Sequence, residues 1–149
     1  MALFVDPSTV IHGIQLAVAP VFLLTAVSSM IGAVAGRLAR IIDRARVLED
    51  RIKASADAAF IRESHDELGH LRTRGILANS TIGLLTLCAF MIGLTIVVLF
   101  LGETTALRVD RFAIYAFLFG ISSFMAALGC FFAETLLATR VLKFRRPLD

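Results

Sequence analysis

Three stretches of this chain contain no Asp, Glu, Lys or Arg, residues 7–36, 75–102 and 112–133, and no other feature of the sequence restricts its folding as strongly. About 20 residues of helix, each rising about 1.5 Å, cross the hydrocarbon core of a bilayer, so each stretch can span one. Strands are the poorer reading. A membrane strand needs only about 10 residues and alternates polar with apolar, whereas LLTLCAFMIGLTIVVLF is apolar on every side. Composition agrees: 58% of the 149 residues are hydrophobic and 18% charged, with a mean hydropathy of +0.83. A soluble domain of this size could not bury so much apolar surface. The sequence therefore predicts one all-α integral membrane domain over 1–149, with three transmembrane helices at about 10–36, 76–101 and 112–139.

The first stretch is expected to stay in the mature protein. MALFVDPSTV carries no Lys or Arg, includes Asp6, and leads into an apolar run too long for a secretory leader. Orientation follows from the basic residues: none precede the first span, nine lie in 37–74, two in 103–111 and four after Thr139. The positive-inside rule places 37–74 and the C-terminus in the cytoplasm, and the N-terminus and the 103–111 loop outside. The pI near 9.4 reads as topology rather than as nucleic-acid binding, because 37–74 also holds seven acids and is only modestly basic.

Between the first two spans the sequence predicts a cytoplasmic antiparallel helical hairpin over about 37–74. Leu38, Ile41, Ala45, Leu48 and Ile52 recur at steps of three and four, a stripe that needs a partner helix. Ile61, Leu68 and Leu71 form a weaker stripe of the same kind, after an expected turn around residues 54–57. Arg46 with Asp50, and Glu49 with Lys53, have the i,i+4 spacing of surface ion pairs.

The candidate functional residues are polar groups in or next to the spans. In the first span Pro20 removes a backbone hydrogen bond, and Thr25, Ser28 and Ser29 follow it. His12 and Gln15 share a face near its outer end, suited either to lining a pore or to meeting water and headgroups. Gly32 and Gly36, with Ser28 one turn earlier, form a small-xxx-small seam for helix packing within or between chains. Asn79, Ser80, Thr81, Thr86, Thr95, Ser122 and Ser123 are read as making hydrogen bonds between helices. Glu134 adjoins the third span at a depth where Arg37, Arg74 or Arg140 can meet it; a salt bridge and an ion-coordinating ring are both open readings. Thr25, Ser28, Ser29 and Arg37 are further pore-lining candidates, and Arg40, Asp43, Arg44 and Glu134 would add charge at the inner mouth. Asp66 and His70 could share a cation but have no evident third ligand, so a solvated face is expected and no metal or cofactor is assigned. Common enzyme motifs, H-E-x-x-H, the Walker loop, G-x-G-x-x-G and G-x-S-x-G, are absent from the sequence.

The stretch AVAPVFLLTAV, followed by GRLARIIDRARVLEDR, resembles the DUF2721 family of bacterial membrane proteins. The likeness covers nearly the whole chain and is carried by Pro20, Arg37, Arg40, Asp43, Arg44 and Arg46. The resemblance implies a three-span protein of the bacterial inner membrane and offers no catalytic residues to carry over.

Three helices cannot enclose a polar path, but a ring of chains can. The expected function is therefore a non-enzymatic homo-oligomeric ion channel or transport protein. Its partners would be membrane lipid, ions and further copies of itself, with no nucleic acid; the 37–74 segment would form a cytoplasmic collar. The alternative is a non-conducting scaffold or regulatory subunit that recruits a partner through 37–74.

Overall fold

The computed structural model describes residues 7–105 and 110–143. They form three helices: α1 (Pro7–Ala54), α2 (Ala58–Thr105) and α3 (Asp110–Lys143). Each carries a stretch long and apolar enough to cross a membrane. At 48 residues, α1 and α2 are each about 72 Å long, more than twice a hydrocarbon core. The surplus in both helices is the charged segment on either side of the turn.

Helix α1 begins with Pro7 in its first turn, where a missing amide proton costs nothing. It continues without interruption through Pro20 and Gly36 into the charged segment. The residues joining it to α2 close as the expected turn, with a cap the hydrophobic pattern does not reveal. The Ser55 amide donates to the Ile52 carbonyl (3.3 Å). The Asp57 amide donates to Ser55 Oγ (3.2 Å). The Asp57 carboxylate then accepts the Ala59 amide (2.9 Å), satisfying one of the free donors at the start of α2.

The helices divide into two compact units, one made of α1 up to Ile31 with Leu84–Met125, the other of Gly32–Gly83 with α3 from Ala126. In the first unit the buried residues include Ala17 and Val27 of α1, Leu85, Cys88 and Ile92 of α2, and Ala113 and Ala116 of α3. Gly120 lies so close to α2 that a Cβ there would sit 3.3 Å from Met91 Cβ and 3.6 Å from the Cys88 carbonyl oxygen. In the second unit Ile41, Leu48 and Leu71 form a buried cluster against which Ala45, Ile52 and Leu68 pack. The two arms thus cover each other's stripes.

Burial on α1 recurs every seven residues, at Pro20, Val27, Val34, Ile41 and Leu48. The stripe visible in the charged segment therefore runs back into the apolar one. Hydropathy hides it there, because every position is apolar whether packed or not. This spacing is that of a coiled-coil seam.

The hydroxyl groups differ from expectation. Thr81, Thr95, Ser122 and Ser123 donate to the carbonyls of Leu77, Met91, Leu118 and Phe119, four residues back in their own helices. That carbonyl is always within reach and needs no partner helix, so it outcompetes an interhelical acceptor.

Candidate functional site

Each uncharged stretch ends, on the side of the α1–α2 turn, at one charged residue: Arg37 follows the first, Arg74 precedes the second and Glu134 follows the third. The fold brings these three together. Arg37 Nη2 donates to Glu134 Oε2. Arg74 Nε donates to Oε1 (3.0 Å), and its Nη2 lies 3.0 Å from the same oxygen. Glu134 is 1% exposed, while the Arg37 and Arg74 side chains retain 30% and 22% of their exposure. The Arg37 guanidinium also lies 5.3 Å from the centre of the Phe131 ring, one turn before Glu134, within cation–π range.

A carboxylate removed from water loses its hydration and is tolerable only when its oxygens are satisfied. Here both are, by two planar forks that suit a carboxylate better than a lysine would. Neither oxygen of Glu134 is left bare for another cation. The pairing predicted for Glu134 therefore holds with two of the three arginines considered; Arg140 lies among the residues whose side chains are not described.

A different ion pair, directly between the two arms, lies seven residues along each of them. Arg44 donates from Nε (3.1 Å) and Nη2 (2.9 Å) to Glu67 Oε1. Partners rise from 37 to 44 on α1 while they fall from 74 to 67 on α2, which is the register of antiparallel neighbours. This pair is more exposed than the Glu134 cluster. Glu67 was not foreseen as a partner; its signal was its place beside the Leu68 and Leu71 stripe, where flanking charges face those of the other helix.

Arg37, Arg40, Arg44 and Arg74 together line a concavity of about 230 Å³ between the arms, with Ile41 and Leu71 as its apolar members. No acidic side chain is among its lining residues. Arg40 and Asp43 are exposed.

The remaining candidates on α1 do not join this cluster. Gln15, Thr25, Ser28, Ser29, Gly32 and Gly36 lie on the exposed surface, whereas Pro20 is buried in the packed face. The Thr25 hydroxyl donates to the Val21 carbonyl (3.3 Å). A Cβ at Gly32 or Gly36 would meet nothing within 4 Å, so this small-residue seam makes no close contact within the chain. His12 belongs to α1, but its side chain is outside the described residues. On α2, Asp66 and His70 are exposed, and among the described residues no three His, Cys, Asp or Glu side chains are grouped to hold a metal. Cys88 and Cys130 are free thiols.

Residues 17–144 match the model of a family described as a protein of unknown function, DUF2721. No curated protein and no solved structure matches the chain.

Proposed function

The chain belongs to the DUF2721 family, and from the placement of its polar side chains we propose that it is a non-enzymatic, homo-oligomeric protein of the bacterial inner membrane that conducts ions along α1. Its N-terminus is outside, and the paired arms and C-terminus are cytoplasmic, following the excess of Lys and Arg in and after 37–74. The arms form a cytoplasmic helical hairpin that acts as a collar.

One observation carries this reading. The face of α1 that packs within the chain holds Ala17, Pro20, Val27 and Val34, while Gln15, Ser28 and Ser29 lie on the exposed surface with Gly32 and Gly36. The apolar crossings of α1, α2 and α3 are 22%, 28% and 22% buried in a single chain, so the exposed polar residues rather than the burial distinguish α1. A polar group facing lipid without a partner costs several kcal/mol. Thr25 meets that cost within its own helix, and the Gln15 amide, near the start of α1, meets it from water, headgroups or another copy. Small residues on the same exposed surface let a second α1 approach closely. Glu134, already held by two arginines, sets helix register rather than meeting the ion.

Liposomes containing the pure protein should pass ions faster than empty vesicles, and Gln15→Leu should lower that flux several-fold. Flux equal to the empty control across pH and voltage would discard conduction in favour of the scaffold reading. The observation favouring that second reading is the arm pair itself. It packs its own stripe and leaves Arg46, Glu49, Asp50, Glu63 and Asp66 exposed, a charged face available to a soluble partner.

A further inference from the structure

We infer that the arginine concavity between the arms is a binding site for the phosphodiester of an anionic phospholipid headgroup. The charge balance favours an anion. Four arginines line the site, and two of their carboxylate partners, Glu67 and Glu134, take part in ion pairs with three of them. Two positive charges remain without a counter-ion in these pairs. Each guanidinium carries five N–H donors. Arg37 gives Nη2 to Glu134, Arg74 gives Nε to Glu134 with its Nη2 beside the same oxygen, and Arg44 gives Nε and Nη2 to Glu67. Each fork therefore keeps donors in reserve, held in place by its glutamate. Arg40 forms no ion pair among the described residues and brings its whole fork.

Size and depth suit a headgroup. About 230 Å³ is the room of roughly seven waters at about 30 Å³ each, enough for a phosphate and part of its glycerol. Ile41 and Leu71 give that glycerol an apolar surface. Arg37 and Arg74 are the residues at which the uncharged stretches 7–36 and 75–102 end, so in a bilayer the concavity lies where the hydrocarbon gives way to headgroups. Basic pockets at that depth attract anionic lipid, and the phosphates there are far more concentrated than any free anion in solution. The singly charged phosphodiester of phosphatidylglycerol matches the site's reserve donors, and the acyl chains stay with the apolar surfaces below.

The test uses the full-length protein in nanodiscs of phosphatidylcholine, with phosphatidylglycerol added at a low mole fraction and the lipids retained on mild extraction measured by native mass spectrometry. Wild type should retain phosphatidylglycerol at least fivefold above its share of the disc. Arg40→Gln with Arg44→Gln, which leaves the Glu134 cluster intact, should lower that enrichment about fivefold. Arg46→Gln with Arg51→Gln, an equal loss of charge elsewhere on the arm, should lower it less than twofold. Equal retention of the two lipids, or equal losses from both double variants, would overturn the site. A third arm adds millimolar inorganic phosphate: displacement of the lipid by phosphate at those concentrations would make this a free-anion site and overturn the lipid assignment. A circular dichroism melt of each variant separates loss of binding from loss of fold. None of these readouts depends on whether the protein conducts.

Discussion

In the unit of α1 up to Ile31 with Leu84–Met125, the buried side chains are apolar residues large and small, Val27, Leu85, Cys88 and Ile92 with Ala17, Ala113 and Ala116, beside the closely packed Gly120; in the unit of Gly32–Gly83 with α3 from Ala126, the cluster of Ile41, Leu48 and Leu71 stands beside the Glu134 ion cluster. Lipid tails are as apolar as leucine, so within a bilayer the close packing of helices, rather than removal of apolar surface from water, supplies the association energy. Where a helix pair stands in water, removing Ile and Leu from solvent supplies the energy, and charged flanks select the antiparallel register. The second unit also buries a carboxylate, Glu134, between two arginines.

The largest effect is expected at that ion cluster. Glu134→Gln should cost about 3–5 kcal/mol, because it leaves two guanidiniums facing each other with no carboxylate between them. The drop in unfolding midpoint in detergent measures it. Combining it with Arg74→Gln should recover part of the loss, and a midpoint unchanged by Glu134→Gln would mean that the cluster contributes nothing to register. In the arms, Leu48→Ala should cost about 2–3 kcal/mol through lost burial and the cavity left behind. Hydrogen exchange should show the loss confined to amides of the Leu48 and Leu71 neighbourhood if the arms hold themselves together.

Smaller effects sharpen the contrast between packed and open glycines. Gly120→Ala should cost about 1–2 kcal/mol, since the new Cβ would sit 3.3 Å from Met91 Cβ and 3.4 Å from Ile92 Cγ1. Gly32→Ala meets nothing within the chain and should leave the melt of a dispersed protomer unchanged or raise it by up to about 1 kcal/mol through helix propensity. Gly32→Leu, by contrast, should shift the particle size if α1 is the seam between copies; sedimentation in detergent reads this directly. The smallest change belongs to Arg44→Gln. Its pair with Glu67 is exposed, so the loss should stay below about 1 kcal/mol and shrink further in high salt.

Three helices, their limits to within a few residues, and the turn near residues 54–57 were legible because each depends on runs of like residues: uncharged stretches for the membrane, a three-four stripe for the arms. The Asp57 cap and the Arg44–Glu67 pair were less visible, since a single Asp before a helix or a single Glu beside a stripe is common on any charged surface. The seven-residue seam of α1 above Gly36 was not legible, because Pro20, Val27 and Val34 are no more apolar than their unpacked neighbours.

By itself the sequence determined which segments can enter lipid, which face of each arm must find a partner, and that charges begin abruptly at Arg37, Arg74 and Glu134. Those properties are local: they depend on the solvation of each side chain and on helical periodicity. Tertiary structure alone decided that Arg37 and Arg74 share Glu134 while Arg44 turns to Glu67, and that four arginines close around one concavity. Those outcomes depend on the rotation and offset of one helix against another. In a chain with several arginines at the same depth, only packing selects which of them a buried carboxylate meets.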